Sequence, residues 1–589
     1  MKSLPVPSLP DTLDRYLEAV SPLLSAEEFT RTRAVVEAYA GGPGPLAQAE
    51  LERFAAQEAE AGRSWLSEAW LAGYLTVRAP LPLSTSVGFR VAWPVPARSR
   101  AEALAGGTPG LALAAEVLHG FAGSHLAYLR GDIPPELTPR GDEIDTSQRT
   151  VIAGGIRHPH PDADRIRPGE WDARDREVGV LWHGRWFAVP VSDAAGALRP
   201  RAELQAVLAR IVADDAPAES DLTALSYLGA DRAAAGLDRL LAEPSNRRTY
   251  DRIARALFAL CLDDTALSAA EEETEFIRRV AFEPGHAWTG KPLTYQVQLR
   301  HGLVALHMEH SLADGGTLTG IVTGAHRVRD ETGPGAPDEA AGIAVEAPEE
   351  LAWVLPAGLH DEIEEELAAY RDRAAPLHVQ LVRVPAPVPP GVKVSGDAIL
   401  QWIMLFAQRA TYGRVRSTYE AVDMREYLAG RTECLRSNTR EAVALVEALL
   451  DDAAAAEPGL VDAALTAHRT WVKNAKAGHG VDRHLLGLKL AAERLGQPSP
   501  LHDDEGWRRL TTDFLSTTSL GTREAILRCA FAPTSTGGIG VYYVADGEEL
   551  EFSVIHRRDE AERVAEFVAN LSLGAERLAA ALGAWAAVG

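Results

Sequence analysis

Two strand-rich zones, one in each half of the chain and each set among amphipathic helices, constrain the fold more than any other feature. In the first half, VGVLWHGRWFAVPV reads as a hairpin with His183 and Gly184 at its turn. TVIAG before it and LRHGLVALHMEH after it read as further strands. In the second half GIGVYYVADGEELEFSVIH returns to strand. Before the first zone SAEEFTRTRAVVEAYA, with its Ser cap, is spaced as a helix, as are RAELQAVLARIVADD and DAILQWIMLFAQRATYG further along. Helices and strands mixed throughout, with one strand zone per half, predict two α/β domains of similar kind. ETGPGAPDEAAG (331–342) and PAPVPPG (385–391) are expected as surface loops.

The chain's 589 residues are enough for several domains at roughly 150 residues each, or for two large ones. A net charge of -24 opposes broad contact with a phosphate backbone, so nucleic acid is not an expected partner. No apolar run is long enough to span a membrane, which predicts a soluble chain. The opening MKSLPVPSLPDTLDRY lacks an apolar targeting segment, and Cys261, Cys434 and Cys529 form neither a metal spacing nor a disulfide framework. A cytoplasmic enzyme without a metal is the expectation.

Four stretches invite a chemical reading. HMEHSLADGG ends a predicted strand on His310, and Asp314 and Gly315 follow as an acid and a turn. A histidine held there can act as a base over a cleft, although a strand-end histidine by itself also fits a satisfied structural residue. LSTTSLGT (515–522) presents a run of hydroxyls that fits either a hydrogen-bonded loop or an oxyanion donor. GHAWTGK (285–291) has phosphate-loop spacing, but Pro292 replaces the metal-binding hydroxyl and a strand follows. HPHPDAD (158–164) is held extended by its prolines and reads as a loop rather than a metal cluster.

Six stretches in order resemble the choline/carnitine O-acyltransferase family: the opening LPVPSLPDTLDRYLEAVSPLLSAEEF, then SWLSEAWLAGYLTVRAPLPLSTS, EHSLADG, TYEAVDMREYLAGRTECLRSNT, GHGVDRHLLGLKL and LSTTS. The resemblance covers almost the whole chain. It implies two domains of the chloramphenicol-acetyltransferase type with a tunnel at their interface. Residues 1–375 would carry the base histidine, and residues 376–589 would bind donor and acceptor.

By the same resemblance His310 is the general base, Asp314 orders its surroundings and Ser519 donates to the oxyanion. Tyr419, Thr432, Arg483 and Thr517 would bind the acceptor, and Arg483 with Thr432 matches the carnitine branch rather than the choline branch. Cys529 falls on the acyl-pocket wall. Lys393, Asp397 and Arg469 would bind the donor, a coenzyme A thioester that is a substrate rather than a resident cofactor. The lysine-rich stretch of CoA-using relatives is reduced here to Lys393 in VPAPVPPGVKVSGD. That leaves open an acyl carrier protein as donor, or another small alcohol as acceptor. A non-catalytic binder is the reading of a different class. Peptide-synthetase condensation domains share the H-x3-D-G pattern, but they carry a second histidine where this chain has Glu309.

Overall fold

The computed structural model describes residues 1–94, 110–138, 140–214, 216, 218, 220–268, 271–336, 339–452 and 457–587. With strands numbered in chain order, one sheet runs β14 (Ile526–Phe531), β1 (Val87–Val91), β8 (Leu303–Met308), β7 (Leu293–Gln298), β6 (Ala259–Asp263), β4 (Glu177–Trp182), β5 (Arg185–Pro190), β9 (Glu349–Leu351). The other runs β10 (Leu377–Pro385), β16 (Glu549–Arg557), β15 (Ile539–Asp546), β13 (Leu515–Thr518), β11 (Thr418–Asp423), β12 (Thr432–Leu435). Strands β2 (Gly155–His158) and β3 (Arg165–Pro168) form a small antiparallel pair. Each large sheet has a parallel centre, β4-β6-β7 in the first and β11-β13-β15 in the second, flanked by antiparallel strands. This is the pair of similar α/β domains that the sequence predicts.

Parallel strands bury both faces, so they read as nearly unbroken apolar runs. Every residue of β6, β7 and β8 is buried. On β8, Val304, Leu306 and Met308 join the core that holds helices Gly110–Arg130 and Gly315–Thr332, while Leu303 and Ala305 face helix Glu272–Phe282. In the second sheet Val541 and Tyr543 pack on helices Gly396–Tyr412 and Val564–Ala586, while Tyr542 and Val544 join the first core. The hairpin turn falls on His183 and Gly184, whose φ values of 49° and 78° suit a two-residue turn that needs positive φ at both positions.

The sheets are not built from separate halves. β14 pairs with β1 of the first sheet, Phe89 standing opposite Cys529. Helices Leu9–Val20, Ala26–Gly41 and Gly44–Glu60 share a core with helix Asp482–Arg494 and with Val422 and Leu435 of the second sheet. The expected boundary at 375/376 falls between helix Leu359–Ala374 and β10, and both exchanges cross it.

Two local expectations need adjustment. TVIAG is not a strand but the end of a 3₁₀ helix, Ser147–Ala153, which stops where Gly154 and Gly155 adopt φ values of 90° and 89°. A Cβ at either glycine would lie 2.6 or 2.7 Å from a backbone carbonyl. Helix Gly315–Thr332 takes the first two residues of the 331–342 loop, and residues 337–338 lie outside the described set. Lys291 of GHAWTGK is a buried strut, its Nζ donating to the carbonyls of Gly155, Ala254 and Ala256. HPHPDAD connects β2 to β3, with Asp164 accepting from Arg78 and Arg157. Among the described residues, no helix is long and apolar enough to cross a membrane, and no three metal-ligating side chains gather. All three cysteines are free and buried.

Candidate active site

β8 ends at Met308, and the chain leaves the sheet through Glu309 and His310 before helix Gly315–Thr332 begins. His310 enters a cavity of about 630 Å³ between the two sheets. Its Nδ1 is buried and lies 3.5 Å from Asp314 Oδ1, too far for a good hydrogen bond. The histidine is anchored through its backbone instead. Arg431 Nη2 donates to the His310 carbonyl at 3.0 Å, and Arg431 Nη1 donates to the Ser311 carbonyl at 2.6 Å. The same guanidinium grips both oxygens of Asp314, at 2.8 and 3.0 Å, and Gln148 Nε2 adds a bond at 2.9 Å. Burial pushes the Asp314 carboxyl up, but the charges of Arg431 and His310 and the hydrogen bonds it accepts outweigh this and hold it below its usual value. Asp314 is therefore ionised beside the ring.

The preceding acid is also pinned. Glu309 accepts from Arg157 Nη1 at 3.0 Å, and Arg157 donates in turn to the Tyr74 carbonyl. That ties the histidine to helix Ser67–Leu75, whose Tyr74 ring lies 5.6 Å from the imidazole.

Across the cavity, Tyr419 of β11, Thr432 of β12 and Arg483 at the start of helix Asp482–Arg494 converge. Arg483 Nη2 donates to Tyr419 Oη at 2.9 Å and to Thr432 Oγ1 at 3.2 Å, while Nε donates to the Thr432 carbonyl at 2.7 Å. The guanidinium stacks 4.2 Å from the Trp70 ring. Among the described residues no protein acceptor meets its Nη1.

Strand β13 supplies the hydroxyls. Thr517 lines the cavity, but its proton is committed: Oγ1 donates to the Tyr419 carbonyl at 2.8 Å and accepts from Gln401 at 3.0 Å. Ser519, just past the strand, only accepts, from the Gly521 N–H at 3.2 Å, so its own proton is uncommitted among the described residues. Leu520 locks this segment against the helix that follows His310; a Cβ on Gly315 would lie 2.7 Å from its side chain. Cys529 lines the far wall, and burial pushes its thiol well up, so it is an inert wall atom.

A backbone-anchored histidine, a guanidinium with one free donor edge and an uncommitted hydroxyl face one cavity, and the family comparison says what kind of protein carries them. The "Choline/Carnitine o-acyltransferase" family matches residues 4–573. The chain belongs to this family. A carnitine O-acetyltransferase of Columba livia is 25% identical over 570 residues, covering 94% of this chain and 88% of its own. The mitochondrial carnitine O-palmitoyltransferase 2 of Mus musculus is 26% identical over 587 residues, covering 94% and 87%. Among solved structures, a trichothecene 15-O-acetyltransferase from Fusarium sporotrichioides matches with a TM-score of 0.31 and 12% identity, over 57% of this chain and 78% of its own.

Within this O-acyltransferase fold the residues expected to bind the donor are the ones the cavity does not gather. Neither Lys393 nor Arg469 lines it. Arg469 is exposed and donates back to the Leu465 carbonyl of its own helix. Asp397 accepts from Tyr543 at 2.7 Å and lies 3.0 Å from His468. Tyr543 also reaches Glu420 at 2.9 Å. Burial, with the Asp397 charge beside it, raises Glu420 well above the usual carboxyl range.

Arg431, Gln148, Trp70 and Tyr74 are site residues that sequence reasoning missed. Arg431 stands immediately before Thr432, and Trp70 and Tyr74 share a helix face at i, i+4. Gln148 sits in the 3₁₀ helix Ser147–Ala153 and carries no local signal.

Proposed function

We propose that this acyltransferase moves an acyl group reversibly between a CoA thioester and the hydroxyl of carnitine. One observation carries the choice of acceptor. Arg483 stands in the same cavity as His310, positioned by Tyr419 and Thr432 and left with an unused donor edge. A guanidinium in that state suits a carboxylate, which carnitine has and choline lacks. In the forward direction His310 takes the acceptor's hydroxyl proton as the oxygen attacks the thioester carbonyl. The Ser519 hydroxyl donates to the resulting oxyanion. Collapse breaks the C–S bond, and the imidazolium returns its proton to the thiolate. An imidazole serves both directions because its ordinary pKa of about 6.5 lies near working pH.

The test is an acceptor panel. L-carnitine should support acyl transfer and choline should not. Arg483→Gln should raise the KM for carnitine about 10- to 100-fold, the value of a charge-assisted pair. Equal turnover of choline and carnitine by the unmodified protein would overturn the assignment.

A further inference from the structure

The wall of the cavity beside the reaction centre carries hydroxyls that the reaction above does not use. β1 and β14 form this wall, with Val87 opposite Phe531 and Phe89 opposite Cys529. Tyr542 of β15 closes it from the second sheet. Tyr542 is 1% exposed and lines the cavity; the Leu520 backbone lies close enough to favour its ionised form, but its hydroxyl proton meets no acceptor. Ser86 is 3% exposed, lines the same cavity, and its Oγ is likewise buried and unpartnered. Thr85 Oγ1 repeats the pattern.

Their level along the strands is informative. Tyr542 is in register with Thr518, one residue before Ser519. Ser86 directly precedes Val87, which pairs with Met308, two residues before His310. Both hydroxyls thus flank the place where the thioester carbonyl is handled, while Phe89 and Cys529 lie about 7 Å further along, two strand residues on.

Each buried hydroxyl left without a partner is destabilising, and a saturated acyl chain would leave all of them so. We propose that the acyl group transferred here is short and oxygenated, bearing a hydroxyl or oxo group on its second or third carbon that hydrogen-bonds to Tyr542 and Ser86. This inference rests on the proposed reaction for the placement of the acyl group. A carboxylate in that position does not fit. Arg523, whose charge acts on Tyr542, is already paired with Asp546 and Glu551, and Arg528 is paired with Glu551 and Glu273.

The experiment compares butyryl-CoA with 2-hydroxybutyryl-, 3-hydroxybutyryl- and acetoacetyl-CoA. It reads kcat/KM with L-carnitine, and Kd by calorimetry without an acceptor. The unmodified protein should prefer one oxygenated donor over butyryl-CoA at least tenfold in both readings. Tyr542→Phe and Ser86→Ala, each shown to be folded by its unfolding temperature, should cut that ratio at least fivefold. A ratio near one, or a ratio that survives both variants, overturns the inference and assigns the hydroxyls to ordered water. A binding preference without carnitine turnover upholds the inference and sinks the carnitine reading. Turnover without preference does the reverse. If no acyl-CoA binds, both fall.

Discussion

Replacing Arg431 with methionine removes a side chain that joins Asp314 to the backbone of His310. The guanidinium makes two hydrogen bonds to Asp314 and one each to the carbonyls of His310 and Ser311. Breaking a buried ion pair from one side costs about 3–5 kcal/mol, because the other charge is left behind. Each orphaned carbonyl adds about 1 kcal/mol. The loss depends on pH, with a definite sign. Asp314 is held below its ordinary pKa, so its contribution is present above the unfolded carboxylate's value of about 3.9 and fades as pH falls through the lower folded value. Without Arg431 the burial that opposes ionisation prevails and the carboxyl takes up a proton more readily. Urea unfolding of the two proteins at pH 7.5 and at pH 5 checks this. The variant should be less stable by at least about 3 kcal/mol at pH 7.5, and the gap should narrow at pH 5. A gap below about 1 kcal/mol, or one that does not change with pH, would refute the reasoning.

Three further outcomes follow from the same geometry. Ser519→Ala should lower kcat about 10²- to 10³-fold with little change in either KM, read by steady-state assay. Burial pushes Glu433, the neighbour of Thr432, up to about 7 despite Arg483 beside it. It is therefore neutral below that pH and competes for Arg483 when ionised above it, so the KM for carnitine should rise as pH passes through about 7, and Glu433→Gln should flatten that rise. Because neither Lys393 nor Arg469 reaches the cavity, acetyl-CoA and its 3′-dephospho form should have kcat/KM values within about threefold of each other; that span corresponds to under 1 kcal/mol.

Much of the scaffold is legible locally, because it rests on periodicity and turn chemistry. The 180-region hairpin is an example: only a residue pair tolerating positive φ closes it, and His183-Gly184 is that pair. Partner choice is not local. Nothing in ILRCAF says that β14 leaves its own half to pair with β1, since its burial pattern would suit either sheet. The cluster of Tyr419, Thr432 and Arg483 is legible through the resemblance, because each stands in a recognisable stretch. What those side chains do with their protons is not legible. Thr517 spends its hydroxyl on a backbone carbonyl, and Asp314 reaches the histidine through Arg431 rather than directly. Gln148, 166 residues before Asp314, is brought to it by tertiary packing alone.

The proposed transfer stands or falls on His310 as the base. The most direct measurement follows free CoA with a thiol reagent as L-carnitine is added to protein and acyl-CoA, for the unmodified chain and for His310→Ala, with acylcarnitine confirmed by mass. Carnitine-dependent release that falls at least about 10³-fold in the variant, while calorimetry still detects carnitine binding, is the predicted result. Release at an unchanged rate from His310→Ala would contradict it.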